Sequence, residues 1–137
     1  MTRENVPGIV DLEIGSMREA YGGRSICSAI SKALWMMKRH PVVILDSFAR
    51  RGLQRLGLRP GHDTYREYFN SWFRFFDQQD TKDGLGDALE WLRNSPFAAG
   101  LFEEGYIQAS ELDSLWFRNR VTDVWLCFHG GADWLDA

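Results

Sequence analysis

Apolar residues recur at steps of three and four along most of the chain, the spacing of one face of an α-helix. Between Ser25 and Arg39 the recurring positions are Ile26, Ala29, Ile30, Ala33, Leu34 and Met37, with Lys32, Trp35 and Arg39 on another face and Gly22-Gly23 as the break before them. A second helix is expected from Asp46 to about Leu56, turning Leu45, Phe48, Ala49, Leu53 and Leu56 inward and Arg50, Arg51, Gln54 and Arg55 outward, with Gly57 as its stop. Beyond Pro60-Gly61 a long aromatic helix is expected from Asp63 to Gln78, its stripe made of Tyr65, Tyr68, Phe69, Trp72, Phe73 and Phe76. Gly84 to Arg93 predicts a short helix through Leu85, Ala88, Leu89 and Leu92, ended by Ser95-Pro96, and the acids Asp77, Asp80 and Asp83 before it read as a solvated loop. Ser110 is the expected N-cap of a last helix reaching Phe128, with Leu112, Leu115, Val121, Val124, Trp125 and Phe128 inward. There is no internal repeat, low-complexity tract or long linker, so the pattern implies an all-α, compact single-domain helical bundle of about five to six helices.

Composition agrees with a folded core. A hydrophobic fraction of 45% with 14% aromatic residues excludes a disordered segment, and a chain of 137 residues buries roughly two thirds of its unfolded surface. Cys27 and Cys127 lie far apart and form no metal or redox spacing, so both are expected as reduced core residues. His40, His62 and His129 show no ligand spacing with each other or with cysteine, and no Gly-rich phosphate loop is present, so neither a metal nor a cofactor is expected. Trp72, Trp91, Trp116 and Trp125 fall on or beside helix stripes and read as core. The start of the chain carries Glu4, Asp11 and Glu13 instead of a basic segment followed by an apolar one, so no signal peptide is expected. The longest apolar runs, such as Pro41 to Leu45, are too short for a bilayer, and a soluble cytoplasmic chain without membrane contact is the expectation.

Charge changes the picture more than composition does. The net charge is -3, which argues against a protein that simply coats nucleic acid. The residues from Arg24 to Arg66, however, hold nine Lys or Arg against two acids, and those from Glu67 to Ala137 hold five against thirteen. Such asymmetry suggests one side facing a polyanion and another facing solvent or a partner; the alternative is that the two halves pair with each other.

The basic segment contains the run Val42-Val43-Ile44-Leu45-Asp46-Ser47, a buried apolar stretch ending in a carboxylate that opens a basic helix. At an N-cap, Asp46 would accept backbone N–H bonds at the positive end of that helix, and capping alone explains an Asp there. The wider pattern resembles something more specific. Asp46-Ser47, then Arg51, Arg55 and Leu56-Gly57-Leu58, is similar to the segment bearing the essential aspartate of helix-hairpin-helix DNA glycosylases, and Ser31-Lys32-Ala33-Leu34 resembles their Lys-Thr-Ala helix start. The nearest likeness is to the small bacterial 8-oxoguanine DNA glycosylase-like proteins.

The resemblance spans about Ser25 to Leu58 and implies a trimmed glycosylase-like core that binds duplex DNA. It implies Asp46 and Lys32 as the catalytic pair, the lysine being the nucleophile in bifunctional members. Departures are specific: the Leu-Pro-Gly-x-Gly phosphate-binding hairpin is absent, Phe48 stands where the family has His, Lys32 and Asp46 are a few residues closer than in the well-known enzymes, and the N-terminal helices of the full enzymes are largely missing. Chemistry on a base requires flipping it out of the duplex against apolar walls, and Trp35 and Phe48 are the expected walls. Asp46 would oppose the positive charge growing on the sugar, or orient a water. Lys32 would form a Schiff base, or, as a solvated residue, touch phosphate. Lys38, Arg39, Arg50, Arg51 and Arg55 are expected as phosphate contacts that position without specifying. The reading from a different class is a non-enzymatic interaction protein that keeps this scaffold and binds a protein partner through its acidic C-terminal half; a third is a purely structural DNA-binding module.

Overall fold

Every regular element among the described residues is helical. The computed structural model describes residues 1–20, 26–37, 40–60 and 64–132, which form α1 (Val6–Ala20), α2 (Cys27–Met36), α3 (Ser47–Arg55), α4 (Tyr65–Phe76), α5 (Gln79–Asn94), α6 (Pro96–Glu103), a 3₁₀ turn (Ala109–Asp113) and α7 (Leu115–His129). None of these helices is long and apolar enough to cross a membrane. The Gly22-Gly23 break, the predicted helix start at Asp63, and Lys38, Arg39, His62 and Trp134 lie outside the described residues.

The core is organised by α4. All six residues of its expected stripe are buried, Trp72 stacking on Phe76 with ring centroids 5.2 Å apart and meeting the edge of Phe73 at 4.9 Å. Around it gather Val6 and Val10 of α1, Val42 and Val43 from the segment before α3, Ala49 and Leu53 of α3, Leu85 and Leu89 of α5, and Leu126 of α7. Side-chain oxygens start the helices: Thr64 accepts from Glu67 N–H, Ser95 from Ala98 N–H and Ser114 from Phe117 N–H, each at 3.2 Å.

Several elements differ from the sequence expectation. Helices α1 and α6 were not anticipated, and α5 begins at Gln79, so Asp80 and Asp83 lie in its first turns instead of a loop. The last helix starts at Ser114, after the 3₁₀ turn, rather than at Ser110. Its buried face is also different. Asn119, Thr122, Asp123, Leu126 and Cys127 point inward, while Leu115, Trp125 and Phe128 are about half exposed. Likewise α2 buries Cys27, Ile30 and Ser31 and leaves Ala29, Ala33 and Met37 outside. Trp91 is exposed as well, so of the four tryptophans read as core only Trp72 is fully inside.

The face of α7 is dictated by close backbone approach. A Cβ on Gly52 of α3 would stand 2.2 Å from the Leu126 carbonyl oxygen, and one on Gly130 would stand 1.8 Å from the Phe48 carbonyl oxygen. The two helices therefore press backbone to backbone at both glycines, which only residues lacking a side chain permit. Gly52→Ala should destabilise the fold by at least about 1 to 3 kcal/mol, because carbonyl backbone must move to admit the methyl. Gly84→Ala, in open space within α5, should instead stabilise by about 0.5 to 1 kcal/mol. Urea denaturation of the two variants checks both signs.

Candidate functional site

Asp46, itself in extended conformation, is delivered by a non-helical segment with no strand beside it among the described residues. The backbone of Val42 to Leu45 is tied down by side chains: Tyr65 Oη donates to Val43 C=O at 2.9 Å and accepts from Val43 N–H at 3.1 Å. Tyr68 Oη donates to Ile44 C=O at 2.8 Å, and Ser31 Oγ accepts from Leu45 N–H at 2.9 Å. Buried main-chain groups need such partners. Burial raises the pKa of both phenols, which keeps them protonated as donors.

At the end of this segment Asp46 caps α3. Its Oδ1 accepts from Phe48 N–H at 2.8 Å, from Ala49 N–H at 3.4 Å and from the Cys127 thiol at 3.6 Å. Among the described residues Oδ2 accepts nothing, and the residue is only half-buried. It faces an open depression of about 500 Å³ lined by Ser28, Lys32, Leu45, Asp46, Ser47, Arg50, Arg51 and Gln54. That volume falls within the roughly 300 to 1,000 Å³ of ligand sites.

Four of the residues singled out in the sequence thus meet in one cleft: Lys32 from α2, Asp46 at the α3 cap, and Arg50 and Arg51 from the first turns of α3. Lys32 is exposed, and its one cleft-lining acid neighbour is Asp46. Arg50 is half-buried 6.0 Å from the Tyr68 ring centroid, with an Nε that finds no hydrogen-bond partner among the described residues. Trp35 and Phe48 do not line the cleft. Trp35 is stacked on Trp116 at 4.6 Å and its carbonyl accepts from Trp116 Nε1–H, while Phe48 packs against the core beneath the Arg51 guanidinium, 4.7 Å away. Leu45 supplies the apolar wall instead. Arg55 turns to the other end of α3, donating to the His129 carbonyl at 2.6 Å and closing α7.

Beneath the cleft lies a group that the sequence pattern did not disclose. Asp123, buried on α7, pairs through Oδ2 with Arg120 at 2.6 Å, while its Oδ1 has no hydrogen-bond partner among the described residues. Burial pushes its pKa up to about 7, against the pull of Arg120 and with the push of Asp46. Burial prevails because the Arg120 side chain is itself 39% exposed and shares its charge with solvent. One turn further, Cys127 is pushed up to about 12 by burial, then by Asp123 and Asp46, so its thiol remains a donor to Asp46. Beside Arg118 and Arg120 an acid on α7 reads as surface. The signals in the sequence were its three-residue spacing from Arg120 and its four-residue spacing from Cys127.

Elsewhere, burial lowers the pKa of His40, aided by Arg3, which leaves a neutral ring whose Nδ1 lies 3.3 Å from Asn119 Nδ2. Among the described residues no three His, Cys, Asp or Glu side chains gather as metal ligands would. No protein-family model, curated protein or solved structure matches the chain.

Asp123 carries a consequence for stability. A carboxyl whose folded pKa lies above its unfolded value of about 4 stabilises the fold at low pH, and that contribution is lost as pH rises through the folded value of about 7. Wild-type stability should therefore fall between these limits relative to that of Asp123→Asn, the difference levelling off above them. Denaturant midpoints measured against pH for both proteins report it.

Proposed function

We propose that the chain binds DNA through the cleft of Lys32, Asp46, Arg50 and Arg51 and cleaves the N-glycosidic bond of a modified base presented there. One observation carries this reading: side chains from two helices, singled out in the sequence by resemblance and charge, open onto a single depression with three cations around one carboxylate. The cations supply attraction to phosphate and fix the register of the backbone. A base rotated out of the stack brings its sugar to the cleft. There Asp46, with Oδ2 unengaged by the described residues, opposes the positive charge that develops as the bond to the base breaks, or orients the attacking water. The exposed Lys32 either contacts phosphate as its ammonium or, having given up a proton, attacks C1′ as the bond to the base breaks, the sugar ring C–O bond then opening to give a Schiff base.

A second reading, a non-enzymatic interaction protein, is favoured by a different feature. Leu56, Phe75, Leu85, Ala88, Val121 and Trp125 line an apolar hollow of about 390 Å³, with Asp80 at its margin. It lies largely in the acidic half of the chain, away from the basic cleft.

Asn caps a helix about as well as Asp, so Asp46→Asn should keep the fold, by circular dichroism and melting, while abolishing base release from modified duplexes. Retained release, or none from the parent on any modified duplex, counts against the enzyme. Binding should weaken with salt at a slope of about -0.9 per neutralised phosphate, and Arg51→Glu should reduce that slope by about 1. A slope near zero in the parent leaves the protein-partner reading ahead.

A further inference from the structure

Asp46 and Asp123 come from opposite sides of the α3–α7 contact. Gly52 and Gly130 bring the two backbones together, and the Cys127 thiol, one turn along α7 from Asp123, reaches Asp46 Oδ1 at 3.6 Å. Residues four apart on a helix lie side by side, so the thiol that donates to the cleft carboxylate stands on the same face of α7 as the buried Asp123. We propose that Asp123 is a positioning residue for Asp46, setting through the intervening Cys127 thiol the electrostatic potential at the cleft carboxylate.

Several groups act on Asp123. On α7, Arg120 pairs with it and Cys127 adjoins it; Lys32 acts from α2, Asp46 from the cap of α3, and Tyr65 and Tyr68 share its field from α4. Arg120 also spans to the Trp35 ring, 5.5 Å away, which anchors the ion pair beside the Trp35–Trp116 stack. The Asp123 Oδ1 has no hydrogen-bond partner among the described residues, so the charge of this carboxylate is compensated at one oxygen only, by the 39% exposed Arg120. A charge in so apolar a setting acts over longer distances than one at the surface. When Asp123 ionises, the negative potential at Asp46 deepens. Cationic character on a sugar bound above Asp46 is then better opposed, and the hold of the cleft on phosphate is weakened.

The catalytic meaning of this link rests on the reading proposed above, but the link itself is measurable in the free protein. Carboxyl-carbon NMR of the intact chain labelled at aspartate should show the Asp46 resonance passing through an inflection at the pH where Asp123 titrates, about 7. Asp123→Asn should abolish that inflection, and Cys127→Ala should diminish it. An Asp46 resonance that stays flat through the Asp123 midpoint overturns the proposal, and this wild-type result decides even if Asp123→Asn does not fold. Base release, measured in parallel, should have a limb rising through the same midpoint that Asp123→Asn removes. An inflection without base release from any duplex overturns the proposed function and leaves the link between the acids standing. Base release without an inflection does the reverse.

Discussion

The contact of α3 against α7 is the constraint on which the rest of the site depends. Two glycines, seventy-eight positions apart, let carbonyl backbone of each helix occupy the space where the other would carry a side chain. This approach rotates α7 about its axis until Asp123 and Cys127 face inward and Trp125 and Phe128 face outward. Ordinary apolar packing does not explain such an orientation, because it exposes large rings and buries a carboxyl. It follows when main-chain contact takes precedence over side-chain burial, with Leu126 alone of the larger apolar residues retained fully inside the interface.

The sequence was legible where one pattern dominated. Helix α4 separates its aromatic residues so cleanly from Arg66, Glu67, Asn70 and Arg74 that periodicity assigns its buried face without help. Asp46 was legible for a similar reason, since a short acid between an apolar run and a basic helix has few local roles other than capping. Helix α7 was not, because Leu115, Trp116, Phe117, Val121, Val124, Trp125, Leu126 and Phe128 surround its axis. With apolar residues on every side, the choice of face passes to Gly130 and its distant partner Gly52, which no local window connects. In α2 the buried Ser31 was hidden by the same logic: a hydroxyl reads as surface until the backbone group it serves is known.

Charge was partly legible as well. The basic bias of the segment around α3 pointed to a polyanion, yet its arginines divide their labour. Arg50 and Arg51 edge the cleft, whereas Arg55 closes the carboxyl end of α7. A run of like residues along one helix therefore lines the cleft at one end and braces α7 at the other. Sequence spacing could place them on one element but not at its two ends' different tasks.

The segment before Asp46 belongs to no helix or strand. Such a stretch ordinarily leaves main-chain donors and acceptors without partners of its own, open to pairing with another chain. Here two phenols and a serine hydroxyl occupy those positions from within. Those four main-chain groups are thereby withdrawn from pairing with another chain, and the segment ties the aromatic helix at one end to a capping carboxylate at the other.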